Sequence, residues 1–123
     1  MPTRNQAYAT SAYAQVSNVP DGEKSKYGSM SHKLPVLIHK AGLAQALAFV
    51  EAKAAKEDAW KRLLEDVAIT INKPNLIALS RSTQLNEYMQ LTSEVLAALL
   101  WYKRFAQSVL NVNAGDSHNS EHK

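Results

Sequence analysis

A chain of 123 residues, 46% of them hydrophobic, is long enough for one compact domain whose core needs no metal or disulfide staple. It contains no cysteine, which excludes disulfide frameworks, thiolate zinc sites and cysteine nucleophiles and fits a reducing compartment. The net charge of +3 is unevenly placed: residues 1–56 carry seven Lys or Arg against three acids and residues 57–123 seven against eight, so the N-terminal part has the field that suits phosphate backbones.

Residues 1–15 hold one basic residue and no apolar run, and the longest uninterrupted apolar stretch, 95–102, is too short to span a bilayer, so a cytoplasmic protein is expected. Thr3 with Gln6 matches a capping box, and Tyr8, Ala9, Ala12, Tyr13 and Val16 form a narrow helical stripe that should end near Asn18. Asn18, Val19, Pro20, Asp21 and Gly22 have turn chemistry. A lysine-bearing segment, 23–32, follows, and Pro35 is expected to divide it from residues 36–40, with Leu34 and Pro35 setting a bend between helices. Gly42 should end that turn, after which Leu43, Ala46, Leu47, Val50 and Ala54 resume helical spacing.

Trp60, Leu63, Leu64, Val67, Ala68 and Ile71 make the cleanest amphipathic pattern, terminated by Pro74. Residues 53–58 hold neither a breaker nor a strong apolar anchor, so the pattern leaves open whether helix runs unbroken over 43–71. Within it, Glu57 with Lys61 and Asp58 with Arg62 are i, i+4 pairs in the favourable order. A short helix is expected around 75–79. No period-two pattern competes anywhere, and the polar tail, 113–123, is expected to be disordered.

The last helix, placed over 82–112, is apolar on two sides. Tyr88, Leu91, Val95, Ala98, Tyr102, Phe105, Val109 and Val112 recur at three-four spacing on one face. At 100° per residue, Leu85, Met89, Leu96 and Leu100 fall on the opposite face with Leu99 at its edge. Such a helix either runs through the middle of its own bundle, the reading favoured by the habits of small helical domains, or reserves one stripe for another protein.

No catalytic constellation emerges. His32 and His39 are seven apart, but no carboxylate is spaced to complete a metal site with them, and both are expected to be partly exposed beside lysines. There is no Gly-rich phosphate loop, no serine elbow and no Glu-x-x-His pair, so neither cofactor nor metal is expected. Tyr27, Trp60 and Trp101 are expected to pack in the core rather than to stack on bases.

Two stretches carry a resemblance to a family. The run from Lys26 to Phe49, with its Leu34-Pro35 pair, Gly42-Leu43 and alanine-rich continuation, is one; Leu100-Trp101-Tyr102-Lys103-Arg104-Phe105-Ala106 is the other. Together they resemble the small helical subunit of the type III-B CRISPR effector, the Cmr or RAMP-module complex, over roughly residues 4–112. The resemblance implies an all-helical, non-catalytic protein, present in more than one copy per complex and stacked into a minor filament beside the subunits that hold the guide RNA. Its partners are then other Cmr subunits, further copies of itself, and the backbone of guide and target RNA, with no membrane.

The expected fold is therefore all-α: a single-domain helical bundle of about five to seven helices over 1–112 with a long C-terminal helix. RNA-contact candidates, chosen by charge and by position in the matching stretches, are Lys24, Lys26, Lys33, Lys40, Lys53, Lys103 and Arg104. Subunit-interface candidates are Leu85, Met89, Leu96 and Leu100. An alternative is a free-standing helical adaptor, phosphotransfer-like, using His39, although the spacing of His39, Lys40 and Gly42 departs from that motif.

Overall fold

Thr3 and Gln6 close a capping box, Gln6 N donating to Thr3 Oγ1 at 3.1 Å and Thr3 N to Gln6 Oε1 at 2.7 Å, and this starts α1 (Arg4–Ser17). The computed structural model describes residues 2–114, which hold six α-helices and one 3-10 turn and no strand. After the 3-10 turn at Asp21–Glu23 come α2 (Lys24–Ala41), α3 (Leu43–Ala54), α4 (Asp58–Thr70), α5 (Leu76–Ser82) and α6 (Leu85–Ser108). None of the described helices is long and apolar enough to cross a membrane. Of the tail expected to be disordered, residues 115–123 lie outside the described residues.

The long helix α6 lies against α1 and α2, while α4 packs on α2, α3 and α1. The core holds the predicted stripes: Ala12 and Val16 from α1, Leu43, Leu47 and Val50 from α3, Leu63 and Val67 from α4, and Leu91, Val95, Ala98 and Tyr102 from α6.

Pro35 does not divide α2, which runs continuously through it. An interior proline costs about 3 kcal/mol or more. Tyr27, Met30, Leu34 and Ile38 lie on one face across the proline and are all buried, and each such side chain contributes roughly 1.5–3 kcal/mol. Burial on both sides of the proline outweighs the lost hydrogen bond. The helix ends instead at Gly42, whose φ of 88° is open to glycine at little cost.

Residues 43–71 form two helices rather than one. Ala55 and Lys56 leave the helix and Glu57 is extended (φ −127°, ψ 104°), its carboxylate turned away to Lys26. The final helix is shorter than its apolar pattern at both ends. Thr83 and Gln84 are extended, and beyond Ser108 the chain folds back as a strap, with Val112 N donating to Ala106 O at 2.8 Å. Asn72 (φ 60°) closes α4 two residues before Pro74, with Lys73 N reaching Ala68 O.

A buried polar chain ties four helices together. Tyr27 Oη donates to Asp66 Oδ2 at 2.6 Å, and Tyr102 Oη donates to the Asp66 carbonyl at 2.9 Å. Tyr102 has only one hydroxyl proton, so Thr70 donates to it at 2.7 Å, and Ser11 in turn donates to Thr70 at 2.8 Å. Burial pushes the Tyr27 and Tyr102 hydroxyls far above their ordinary range and raises the Asp66 carboxyl, against the lowering effect of the Tyr27 hydrogen bond.

Candidate protein and nucleic-acid interfaces

The second apolar stripe of α6 is not covered. Leu85 is 70% exposed, Met89 61% and Leu100 44%, while Leu96 is half-buried and Leu99 fully buried. The central-helix reading is thereby corrected: α6 packs chiefly on α1 and α2, and among the described residues nothing covers Leu85, Met89 and Leu100. The stripe is also narrower than its sequence pattern, since Leu96 and Leu99 turn inward enough to join the core.

The basic candidates separate into groups. Lys24 pairs with Asp21 at 2.8 Å and Lys26 with Glu57 at 2.7 Å, so both already carry a counter-charge. The expected pairs within α4 do not form: Glu57 faces Lys26, and Arg62 makes a two-pronged contact with Glu23 at 2.7 and 3.3 Å. Lys40 and Lys103 are exposed, with no ion pair among the described residues, and Arg104 lies 5.1 Å from the Trp101 ring centre.

Lys33 and Lys53 come together at a groove of about 530 Å³ between α2, α3 and the start of α4. Its walls are Met30, Val36, Leu37, Phe49 and Trp60, with His32 and Ala114 beside them, and none of its described lining residues is acidic. Lys53 Nζ sits 5.1 Å from the centre of the Phe49 ring and 5.5 Å from that of Trp60, a cation over two aromatic faces. Phe49 and Val36 were absent from the sequence-based candidates. Their signal was negative: each is a large apolar residue out of phase with its helix's buried stripe, and both are about half exposed (46% and 50%).

The histidines behave differently from one another. His39 is exposed in the last turn of α2, as expected, whereas His32 is buried and its Nε2 donates to the Val112 carbonyl at 2.8 Å. A carbonyl only accepts, so Nε2 carries a proton, and Nδ1 has no partner among the described residues. No group of three or more His, Cys, Asp or Glu among the described residues is placed to hold a metal ion. Of the aromatic residues expected in the core, Tyr27 is wholly buried. Trp60 is half-buried, its Nε1 donating to the Lys26 carbonyl at 3.2 Å, and Trp101 is half-buried and stacked on Phe105.

Fold and surface together define an all-α protein whose distinctive features are a bare apolar face and a basic aromatic groove. The chain belongs to the family described as CRISPR-associated protein (Cas_Cmr5), which matches residues 4–109. It is 43% identical over 114 residues to the CRISPR system Cmr subunit Cmr5 of Thermus thermophilus, a match covering 89% of this chain and 98% of that protein. Its fold is also similar to the crystal structure of a CRISPR-associated Cmr5 family protein from Thermus thermophilus, with a TM-score of 0.78 and 39% identity over 89% of this chain and 98% of the other.

Proposed function

We propose that the chain is a non-catalytic small subunit of a cytoplasmic, RNA-guided, RNA-targeting type III-B (Cmr) complex. In this reading it forms part of the minor filament and meets the backbone of guide and target RNA through a basic surface. The observation that carries it is the bare stripe of Leu85, Met89 and Leu100 on α6, a face that a free-standing monomer has no reason to keep apolar. Other Cmr subunits, including further copies of this chain, are the partners that cover it, as the kinship with a Cmr subunit supports. Lys40, Lys53, Lys103 and Arg104 are exposed and suit phosphate contact; Lys24 and Lys26 rank lower because each already has an acidic partner, and Lys33 is a candidate by its position in the matching stretch. Phosphate contacts position RNA without reading bases.

The test is reconstitution with the other Cmr subunits and a guide RNA, followed by target-RNA titration at several salt concentrations. Each lost phosphate contact flattens the slope of log affinity against log salt by about 0.7 for a single strand. Lys40→Glu and the Lys103→Glu/Arg104→Glu pair should assemble normally and flatten it. Lys61→Glu is the control, because Lys61 lines a pocket shared with Glu23, Asp58 and Glu65. Unchanged affinity and slope in fully assembled variants would remove the RNA role and leave only subunit contacts. RNA cleavage by the purified chain, abolished by a point mutation in it, would remove the non-catalytic part.

A further inference from the structure

We propose that the seam between α1 and α6 is a stacking platform for single-stranded RNA, with one base laid on the Tyr13 ring and a phosphate held by Arg104. The inference rests on the RNA-contact reading above and goes beyond it, since contact with the backbone alone needs no aromatic surface. At 55%, Tyr13 is the most exposed aromatic ring among the described residues. It is nevertheless braced. Its ring meets that of Phe105 edge to face, the centres 5.4 Å apart and the planes at 77°, and Phe105 stacks on Trp101 at 5.9 Å and 27°. A large ring held outward by its neighbours gives up little freedom when a flat partner lies on it. Arg104 continues the cluster, its Cζ 5.1 Å from the centre of the Trp101 ring. The ring holds the guanidinium by its face, and the N–H edge is left to donate two parallel hydrogen bonds to a phosphate.

Tyr, Trp and Arg also form the hot spots of protein interfaces, and charge decides between the two occupants. Arg104 has no ion pair among the described residues. Helix α1 contains no acid, and α6 contains none after Glu94, which pairs with Lys73 at 3.1 Å. Lys103 and Arg104 therefore meet no opposite charge from α1 or from the C-terminal half of α6. A protein lying on the seam must bring an acid placed for Arg104 or leave a desolvated cation unpaired, whereas RNA brings a phosphate with every base. Every base also has a face to stack, so the site needs no sequence preference.

The probe is a short single-stranded RNA, compared with a strand of the same length that is abasic at every position, each titrated into the full-length protein at millimolar concentration and followed by NMR. Shifts should concentrate in residues 9–17 and 101–108, and the abasic strand should bind less tightly by about 5- to 150-fold, the range of one lost base stack. Tyr13→Leu keeps an apolar side chain at an exposed position but removes the ring. It should keep the wild-type salt slope, bind the intact strand less tightly by a similar factor and bind the abasic strand unchanged, while Tyr13→Phe binds both as wild type does. Arg104→Gln should instead flatten the slope of log affinity against log salt by about 0.7 for both strands. Equal affinity for intact and abasic strands, wild-type binding by a folded Tyr13→Leu, or no shifts along the seam would each overturn the proposal. If Tyr13→Leu is neutral while the Lys40 and Lys103/Arg104 variants still flatten the salt slope, the platform falls and the backbone reading stands. In the assembled complex, Tyr13→p-benzoylphenylalanine should photocrosslink to RNA; a crosslink to a protein subunit instead makes the seam a subunit contact and defeats the assignment.

Discussion

Gly28 sits inside α2, in its second turn, where replacement of glycine by alanine ordinarily stabilises a helix by about 1 kcal/mol. Here the sign should reverse. A Cβ added at Gly28 falls 2.6 Å from Val112 Cβ and 2.8 and 2.9 Å from its two methyls, whereas carbon atoms prefer about 3.5–4.0 Å. The strap carrying Val112 must lift by about 1 Å. Lifting exposes a buried valine, at about 1.5–3 kcal/mol for full loss. It also strains the His32 Nε2 to Val112 carbonyl hydrogen bond, worth about 0.5–1.5 kcal/mol. The freed strap regains backbone entropy of about 1–2 kcal/mol per residue, which offsets part of the loss. After the helix gain is subtracted, Gly28→Ala should destabilise by about 0.5–2 kcal/mol. All three clashing atoms belong to the Val112 side chain, so in a Val112→Gly background the same change should stabilise by about 1 kcal/mol. Urea denaturation followed by far-ultraviolet circular dichroism on the four proteins of this cycle measures both numbers. If Gly28→Ala stabilises the wild type as much as it stabilises Val112→Gly, the strap does not press on Gly28 and the reasoning is wrong.

Two further predictions concern the core and the bare face. Burial raises the Asp66 carboxyl, so Asp66 contributes stability below its ordinary value of 3.8 that is lost as pH rises through its folded value; Asp66→Asn, which still accepts from Tyr27, should therefore gain on the wild type as pH increases across that window, and melts showing the opposite trend would reject this account. Val95 is fully buried and Val95→Asp should cost about 3–5 kcal/mol, whereas Leu85→Asp and Met89→Asp should leave the melt within about 0.5 kcal/mol of wild type and weaken entry into the Cmr complex. Leu96, half-buried, should fall between them; equal unfolding by all four would mean that the exposed stripe is structural.

What the sequence reveals here is local. The capping box at Thr3, the stop at Gly42 and the three-four stripes of α4 and α6 are patterns within a few turns of chain, and each appears in the structure. Pro35 misled because a local breaker competes with burial of Tyr27, Met30, Leu34 and Ile38, and burial is decided by helices distant in sequence. The charge pairs misled for the same reason. Glu57 and Arg62 have tempting partners four residues along α4, yet their carboxylate and guanidinium are taken by Lys26 and Glu23, more than thirty residues away. His32 looked like one of two solvated histidines because nothing in its own segment signals that the end of the chain returns to cover it. The exposed stripe was half legible: its spacing was visible in the sequence, but whether another helix covered it depended on how the bundle packed.

The strap joins the core to the groove, and so links the two surfaces differently from the bare face of α6. Val112 fills the notch above Gly28, and its carbonyl fixes the ring of His32, one helical turn further along α2. His32 and Ala114, two residues beyond Val112, both line the groove. The orientation of His32, and with it the direction of its unpartnered Nδ1, therefore depends on a short segment that has no regular secondary structure after α6. The exposed stripe lacks such support and needs none, because Leu85, Met89 and Leu100 project from a continuous helix whose other face is locked by Val95, Ala98 and Tyr102. Substitutions in the strap should disturb the groove and leave the α6 face unchanged, so damage to the groove and damage to assembly are separable in one protein.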